Sequence, residues 1–416
     1  MSQPSISLIQ ANANSFSLQA AIALSEAGWL NELLTTLAYD PASVQASYLN
    51  KLPMPLSQML SKELGRRTWT LSTTGKVCSY PWAELIRVGL VRSKLHRFLP
   101  TGLNQTLSWV QTSLDKRTAS RHLERLSAVY GYEDGCAITF RKAKQKDIHC
   151  FYDLPIPFYK LSRSIQIEEA ERFPELACSF QAIQEPNWKL VRKDQEVELA
   201  DHIFVASSMT QRSLLEIGVD AEKISVIPYG SPIEYFQPQQ KQDSKFRALY
   251  VGRMSPRKGV QYLLPAWRSL NLPNAELLFV GTKMLPESWL KPYQSFYRHV
   301  ASVPHASLNQ YYSSANVLIF PSLVEGFGLV LTEAMACGIP IITTPNTAGP
   351  DIITDGVEGF IVPIRDELAL QEKLEWCYQN PEALAEMGRA ARRKAEQLTW
   401  QKYRCKLTQE IRRILE

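Results

Sequence analysis

Pro321-Ser322-Leu323-Val324-Glu325-Gly326-Phe327-Gly328-Leu329-Val330-Leu331-Thr332-Glu333-Ala334-Met335-Ala336-Cys337-Gly338 sets two carboxylates eight residues apart around the start of a helix. The apolar run over 316–320 just before it reads as a buried strand. Pro321 and the glycines make a tight loop, and 329–336 is expected to be helical until Gly338 ends it. Strand, loop and helix together form a ligand platform. Free backbone N–H groups at a helix start suit an anionic or hydroxyl-rich ligand. Glu325 on the loop and Glu333 on the helix can each accept hydrogen bonds from a vicinal diol, whose spacing two carboxylate oxygens match.

Outward from this platform, strand-like and helix-like segments alternate, as in parallel α/β architecture. In the second half the expected order is strand 246–252, helix 259–270, strand 275–281, helix 307–314, strand 316–320, helix 329–336 and strand 340–344. These strands are near-continuous apolar runs, which burial on both faces requires. In the first half, 5–10, 147–152, 201–206 and 223–228 are strand candidates, 30–38 reads as helix or strand, and 51–134 reads as mostly helical. Residues 382–413 read as two helices separated by Leu398-Thr399-Trp400. Arg253 follows the first strand of the second half and Lys258 lies five residues on, just before a helix. That is the crevice where doubly wound sheets bind ligands, and the pair suits a diphosphate. Arg257 between them is expected to face solvent.

The E-x7-E spacing of Glu325 and Glu333 resembles the signature of retaining GT-B glycosyltransferases, specifically glycosyltransferase family 4 (glycosyl transferases group 1). Val251-Gly252-Arg253-Met254-Ser255-Pro256-Arg257-Lys258-Gly259 upstream, and the segments 343–353 and 355–362 downstream, extend the resemblance over roughly 200–365. It implies a GT-B fold, two Rossmann-like doubly wound domains facing a central cleft: an acceptor-side domain over 1–230, a donor-binding domain over 231–399, and a C-terminal helix over 400–416 packing back on the first. Pro228-Tyr229-Gly230-Ser231-Pro232 is the expected linker.

The resemblance further implies a donor site for a nucleotide-diphosphate sugar. Arg253 and Lys258 would hold the phosphates, and Glu333 the ribose diol. Glu325 and the N–H groups of Gly326, Phe327 and Gly328 would hold the sugar, with the base between 281–283 and 303–305, near Lys283 and His305. Where many relatives have a Gly-Gly pair after the first strand, this chain has Gln10-Ala11-Asn12-Ala13-Asn14-Ser15-Phe16, leaving Asn12 and Ser15 as donors. A histidine near the reacting centre finds its nearest counterpart in His149, with Asp153 competing for the role. No D-x-D occurs, so there is no ligand set for the divalent-metal route: Arg253, Lys258 and helix dipoles would replace the ion, with no metal and no cofactor. A P-loop, G-x-S-x-G, H-E-x-x-H and G-x-G-x-x-G are likewise missing. The expected activity is retaining transfer of a hexosyl unit to a hydroxyl acceptor, a carbohydrate, a lipid-linked precursor or a small metabolite. The alternatives are a non-catalytic nucleotide-sugar-binding scaffold, or a phosphorylase or epimerase on the same fold.

At 416 residues, with 45% hydrophobic and 21% charged residues, the chain is long enough for two cores. Its seven cysteines (Cys78, Cys136, Cys150, Cys178, Cys337, Cys377, Cys405) contain no C-x-x-C pair, which fits free thiols and a cytoplasmic location. Neither a leader-like start nor an apolar run of membrane-spanning length is present. The net charge of +5 is unevenly spread: residues 51–146 hold 17 Lys and Arg against six Asp and Glu, a surplus of 11. Within them, 81–99 interleaves Trp82, Leu85 and Ile86 with Arg87, Arg92, Lys94 and Arg97, as a segment lying on an anionic membrane surface would. An ordinary helix with solvated cations reads equally well. No nucleic-acid-binding signature accompanies the charge.

Overall fold

The computed structural model describes residues 3–39, 68–69, 76–93, 95 and 102–416. Their strands fall in two parallel sheets. The first holds β1 (Ile6–Ile9), β2 (Leu30–Thr35), β3 (Lys76–Ser79), β4 (Ala128–Tyr132), β5 (His149–Leu154), β6 (His202–Val205) and β7 (Ile224–Val226), in the order β3-β2-β1-β4-β5-β6-β7. The second holds β8 (Phe246–Val251), β9 (Ala275–Val280), β10 (Tyr297–Val300), β11 (Val317–Phe320), β12 (Ile341–Thr343) and β13 (Gly359–Ile361), in the order β10-β9-β8-β11-β12-β13. Both are doubly wound, as the alternation predicts. Each reverses direction beside its first strand, between β1 and β4 and between β8 and β11. Those two places are where such sheets form a crevice at the carboxyl ends of their strands.

Burial explains which strands the sequence signals. β1, β6, β8 and β11 are buried at every residue, and their apolar runs are unbroken except for Ser7, His202 and Arg247. Arg247 is tolerated at the start of β8 because it pairs with Asp243 (2.7 Å) and Glu276. Residues 30–38 resolve into strand β2. The described part of 51–134 is mostly helical, as read, through helices Trp82–Arg92 and Gly102–Arg121, but it also contains β3 and β4, which the reading did not separate. Of 81–99, residues 94 and 96–99 lie outside the described residues.

Backbone contacts divide the chain into two compact units. The first comprises Met1–Leu154, Asn187–Phe204 and Arg404–Glu416, and the second Pro155–Pro186 and Val205–Tyr403. In the first, most of the last helix (Trp400–Leu415) is tied to the amino-terminal helix, with Arg404 reaching Glu26 (2.9 Å) and Gln19 (2.6 Å). In the second, the turn after β7 is pinned to 398–400. Ser231 N–H donates to Leu398 O, and a Cβ on Gly230 would lie 2.3 Å from Trp400 N. Among the described residues no helix is long and apolar enough to cross a membrane.

Candidate functional site

The carboxyl ends of β8 and β11, which are hydrogen-bonded neighbours, deliver two loops to one place in the second unit. The β8 loop begins with Gly252 (φ 136°), beside Gly281 (φ 148°) at the end of β9; a Cβ on Gly281 would fall 1.9 Å from Gly252 O, so no larger residue fits. Met254 anchors this loop by donating to Thr282 O, after which Pro256–Lys258 makes a single 3-10 turn. Gly259, in the left-handed region at φ 74°, then opens helix Val260–Leu270, and a Cβ there would lie 1.9 Å from Pro321 O on the β11 loop. Leu323 N–H donates to Arg257 O (3.0 Å), stitching the two loops together.

This stitching buries a charge cluster. Glu325 accepts from Lys258 and from Arg257 Nη1 (3.0 Å), with the Glu325 and Lys258 side chains each only 13% exposed. Burial raises the Glu325 carboxyl, but the Arg257 and Lys258 charges outweigh it and hold the group down at about 2. Lys258 is pushed down to about 8, by burial first and by Arg257 and Arg253 beside it, against the pull of Glu325. Both partners are therefore ionised at neutral pH. The ammonium also sits 4.4 Å from the Phe320 ring centroid. Arg257 does not face solvent as expected: its guanidinium is used on Val324 O (2.6 Å) and on Glu325. Arg253 is exposed, and its side chain makes no hydrogen bond or ion pair among the described residues.

Beyond Glu325 the loop is held from below. Gly326 O accepts from Ser207 and from Thr210 (3.4 Å), and a Cβ on Gly326 would lie 1.9 Å from Pro155 O. Phe327 turns its ring onto Tyr229, 5.1 Å between centroids, so only its backbone is presented. Gly328, at φ 85°, begins helix Leu329–Ala336. The N–H groups of Gly326, Phe327 and Gly328 find no acceptor among the described residues, which leaves three donors converging at a helix start.

Glu333, 5% exposed, is fully partnered: one oxygen faces His305 Nε2 (2.8 Å) and the other accepts from Tyr312 OH (2.7 Å). The bond to Glu333 raises the His305 pKa, with burial opposing. Thus Glu325 and Lys258 are brought together, as are Glu333 and His305. Lys283 pairs instead with Glu287 (3.5 Å). Sequence reading missed Arg257 and Tyr312. A third cation beside Lys258 was a signal for the first, whereas nothing local marks the hydroxyl of Tyr312.

In the first unit, Asn12 lies exposed in the loop after β1, and Ser15 is the exposed first residue of helix Ser15–Glu26. Asn14, between them, caps that helix by accepting from Ser17 N–H (2.8 Å). His149 needs correction. It opens β5, in register with Ala128 at the start of β4, and so sits at the amino edge of the sheet rather than at the carboxyl ends where ligands bind. Its ring packs 4.8 Å from Phe151, and burial lowers its pKa, which is the chemistry of a core histidine. Asp153 does lie toward the carboxyl end of β5, but it is 2% exposed and accepts from Tyr130 OH (2.7 Å). Burial lifts its carboxyl to about 7.

Residues 232–394 match the family model for glycosyl transferases group 1. Among curated proteins, the chain is similar to a D-inositol 3-phosphate glycosyltransferase of Segniliparus rotundus, 28% identical over 242 residues, 53% of this chain and 54% of that protein. It is also similar to the capsular polysaccharide biosynthesis glycosyltransferase CapM of Staphylococcus aureus, 30% identical over 226 residues, 48% of this chain and 59% of that protein. The chain thus spans a little over half the length of these curated relatives. Among solved structures it is similar to a sucrose-phosphate synthase from Thermosynechococcus elongatus (TM-score 0.66, 20% identity, 99% of each chain covered). A second is Anabaena HepE in complex with UDP-glucose (TM-score 0.62, 14% identity, 98% of this chain and 99% of that one). Two Rossmann-like parallel sheets and these neighbours make the fold GT-B.

Proposed function

We propose, on the match of residues 232–394 to the glycosyl transferases group 1 family model, that the protein is a retaining, metal-independent glycosyltransferase. It moves a hexosyl unit from a nucleotide-diphosphate sugar to a hydroxyl of a carbohydrate or lipid-linked acceptor. The observation that carries this reading is the buried Glu325–Lys258–Arg257 cluster at the switch point between β8 and β11, with exposed Arg253 beside it. A diphosphate arriving there offers Lys258 a second anion, and Arg253 supplies a fork for the same group.

In the reaction the bond between the anomeric carbon and the diphosphate oxygen breaks, and the electron pair leaves with the diphosphate. Lys258, a cation held in place by Glu325 before the reaction begins, stabilises that growing charge, and Arg253 closes on it from the exposed side. The acceptor oxygen bonds to the anomeric carbon on the face the diphosphate leaves, passing its proton to a diphosphate oxygen. Glu325 and the free N–H groups of Gly326, Phe327 and Gly328 orient the sugar hydroxyls. Glu333 takes the ribose diol once His305, whose side chain is 60% exposed, swings aside. His149 has no part in this scheme.

The protein works in the cytoplasm, against an anionic membrane surface. Helix Trp82–Arg92 supports this part, since it turns Trp82 (76% exposed), Leu85 and Ile86 outward while Glu84, bonded to Arg87, is buried. The deciding assay measures nucleotide release from a panel of UDP-, GDP- and ADP-sugars, with proton NMR of the product's anomeric centre. Release from at least one donor with retained configuration is expected. No release from any donor, or an inverted product, refutes the reading.

A further inference from the structure

Outside the donor site, three side chains from separate elements of the first unit converge at the edge of its sheet. Glu32 comes from β2, Cys78 from the edge strand β3, and His122 from just after helix Gly102–Arg121. Their ligating atoms all lie within 4.8 Å of one another. We propose that Glu32, Cys78 and His122 bind one zinc ion, with water in the fourth position, as a structural staple holding β3 and the helix to the sheet.

The donor set is a zinc set: one thiolate, one imidazole and one carboxylate. Tetrahedral zinc at ordinary bond lengths separates its ligand atoms by roughly 3.3–3.6 Å. Cys78 Sγ and Glu32 Oε1 are 3.4 Å apart, and His122 Nδ1 and Glu32 Oε2 are 2.6 Å apart, so a small rotation of the carboxylate opens the site. The support behind the histidine is in place too. Its other nitrogen, Nε2, meets Tyr80 OH at 2.5 Å, the outer-shell contact that fixes a metal-bound imidazole. Of the nearby cations, Lys76 pairs with Glu32 Oε1 at 3.7 Å but is 75% exposed, so a bound ion would displace it to solvent, and Arg117 is parked over the Tyr80 ring at 4.8 Å.

There is also something for a staple to do. β3 is a four-residue edge strand with three exposed residues, Lys76, Val77 and Ser79, so it brings little apolar surface to the core. Only Cys78 turns inward, against the small cluster of Ile9, Ala11, Leu34 and Leu114.

The proton balance is specific. Without metal, Nδ1–H donates to Glu32 and Tyr80 OH donates to Nε2. On binding, Cys78 gives up its thiol proton, and the His122 proton moves from Nδ1 to Nε2, where it donates to Tyr80 Oη. One proton is released per zinc.

The test uses the full chain after chelator treatment and gel filtration. Zinc titrated by calorimetry in buffers of different ionisation enthalpy should bind at one equivalent with one proton released. Cobalt in its place should give a thiolate-to-metal charge-transfer band. Cys78→Ser should abolish the band, and His122→Gln should weaken binding at least tenfold, each with an unchanged circular dichroism spectrum. Should Cys78→Ser fail to fold, Glu32→Gln reads the same loss. A control carrying Cys178→Ser and Cys405→Ser, the two exposed thiols, should bind as the native protein does. No binding, or binding lost in that control and kept in Cys78→Ser, overturns the proposal and leaves a hydrogen-bonded Tyr80–His122–Glu32 relay.

Discussion

Replacing Lys258 with Met keeps the aliphatic stem against Phe320 and deletes one charge of the buried pair. The shifts of the two partners give the magnitude. Glu325 is lowered from 4.5 to about 2, which at 1.36 kcal/mol per unit contributes roughly 3 kcal/mol of stability. That contribution is present above pH 4.5 and is lost as pH falls through about 2. Lys258 is lowered from 10.5 to about 8, which costs roughly the same amount. The cost is present below pH 8 and fades as pH rises toward 10.5. Either single change leaves a buried charge short of its partner, at about 3 kcal/mol each, the low end for broken buried pairs because Arg257 remains. Lys258→Met combined with Glu325→Gln should cost well under the sum. Urea denaturation of the four proteins at pH 7 reads this coupling, and a double variant as unstable as the two singles added together would refute the reasoning. The same variants separate stability from function. Lys258→Met should weaken binding of the nucleotide diphosphate by roughly 10- to 150-fold, the loss of one charge-assisted hydrogen bond of about 1.5–3 kcal/mol. Glu325→Gln should lower kcat as well.

Arg253→Ala should weaken the nucleotide by the same factor while leaving the urea midpoint in place, since the exposed guanidinium has no hydrogen-bond or ion-pair partner among the described residues; an unchanged Kd by calorimetry would remove it from the site. Glu333→Gln should mainly raise the donor KM, and it should lower the His305 pKa, read by NMR titration, because the hydrogen bond to Glu333 is what raises it. A His305 pKa that does not move would mean the two side chains are not in contact in solution. Initial rates should be within twofold in EDTA, and neither Mg²⁺ nor Mn²⁺ should add activity; a rate lost to EDTA and restored by either ion would overturn metal-independent transfer. The protein should sediment with anionic but not neutral vesicles, less so at 1 M salt, where screening shortens to about 3 Å. Exchanging Trp82, Leu85 and Ile86 for Ser should prevent this, and equal binding to both vesicle types would refute an electrostatic surface.

The second sheet was legible in the sequence where strands are central. β8, β9, β11 and β12 are apolar runs because both faces are covered, and each was read within two residues. The strands passed over were mostly edges among the described residues: β3 and β10 are largely exposed or half-exposed and carry no continuous apolar signal, and β13 is apolar but only three residues long. β4 is an exception, central and buried throughout. Its Gly131 is required because a Cβ there would lie 2.5 Å from Cys136 Cβ, and that glycine with two tyrosines disguised the run. In the candidate site, residues spaced along one loop or helix could be named from the sequence: Arg253, Lys258, Glu325 and Glu333. Contacts made through the fold were not. Tyr312 meets Glu333 from another helix, and Arg257 reaches Glu325 across two strand ends. His149 was misjudged because the strand was read at 147–152, two residues early, whereas it runs His149–Leu154 and the histidine opens it at the amino end.

The close fit of Gly259 against Pro321, with Leu323 bonded to Arg257, has a consequence for anyone wishing to alter donor choice. Residues 252–259 and 321–328 cannot be exchanged singly with those of another enzyme, because a side chain or a shifted carbonyl on either would collide with its counterpart. They have to be grafted as one cassette, glycines included. Variation in what the pocket accepts is then cheapest outside the cassette, at positions such as Thr282 and Ser302, whose exposed hydroxyls touch each other at 2.8 Å.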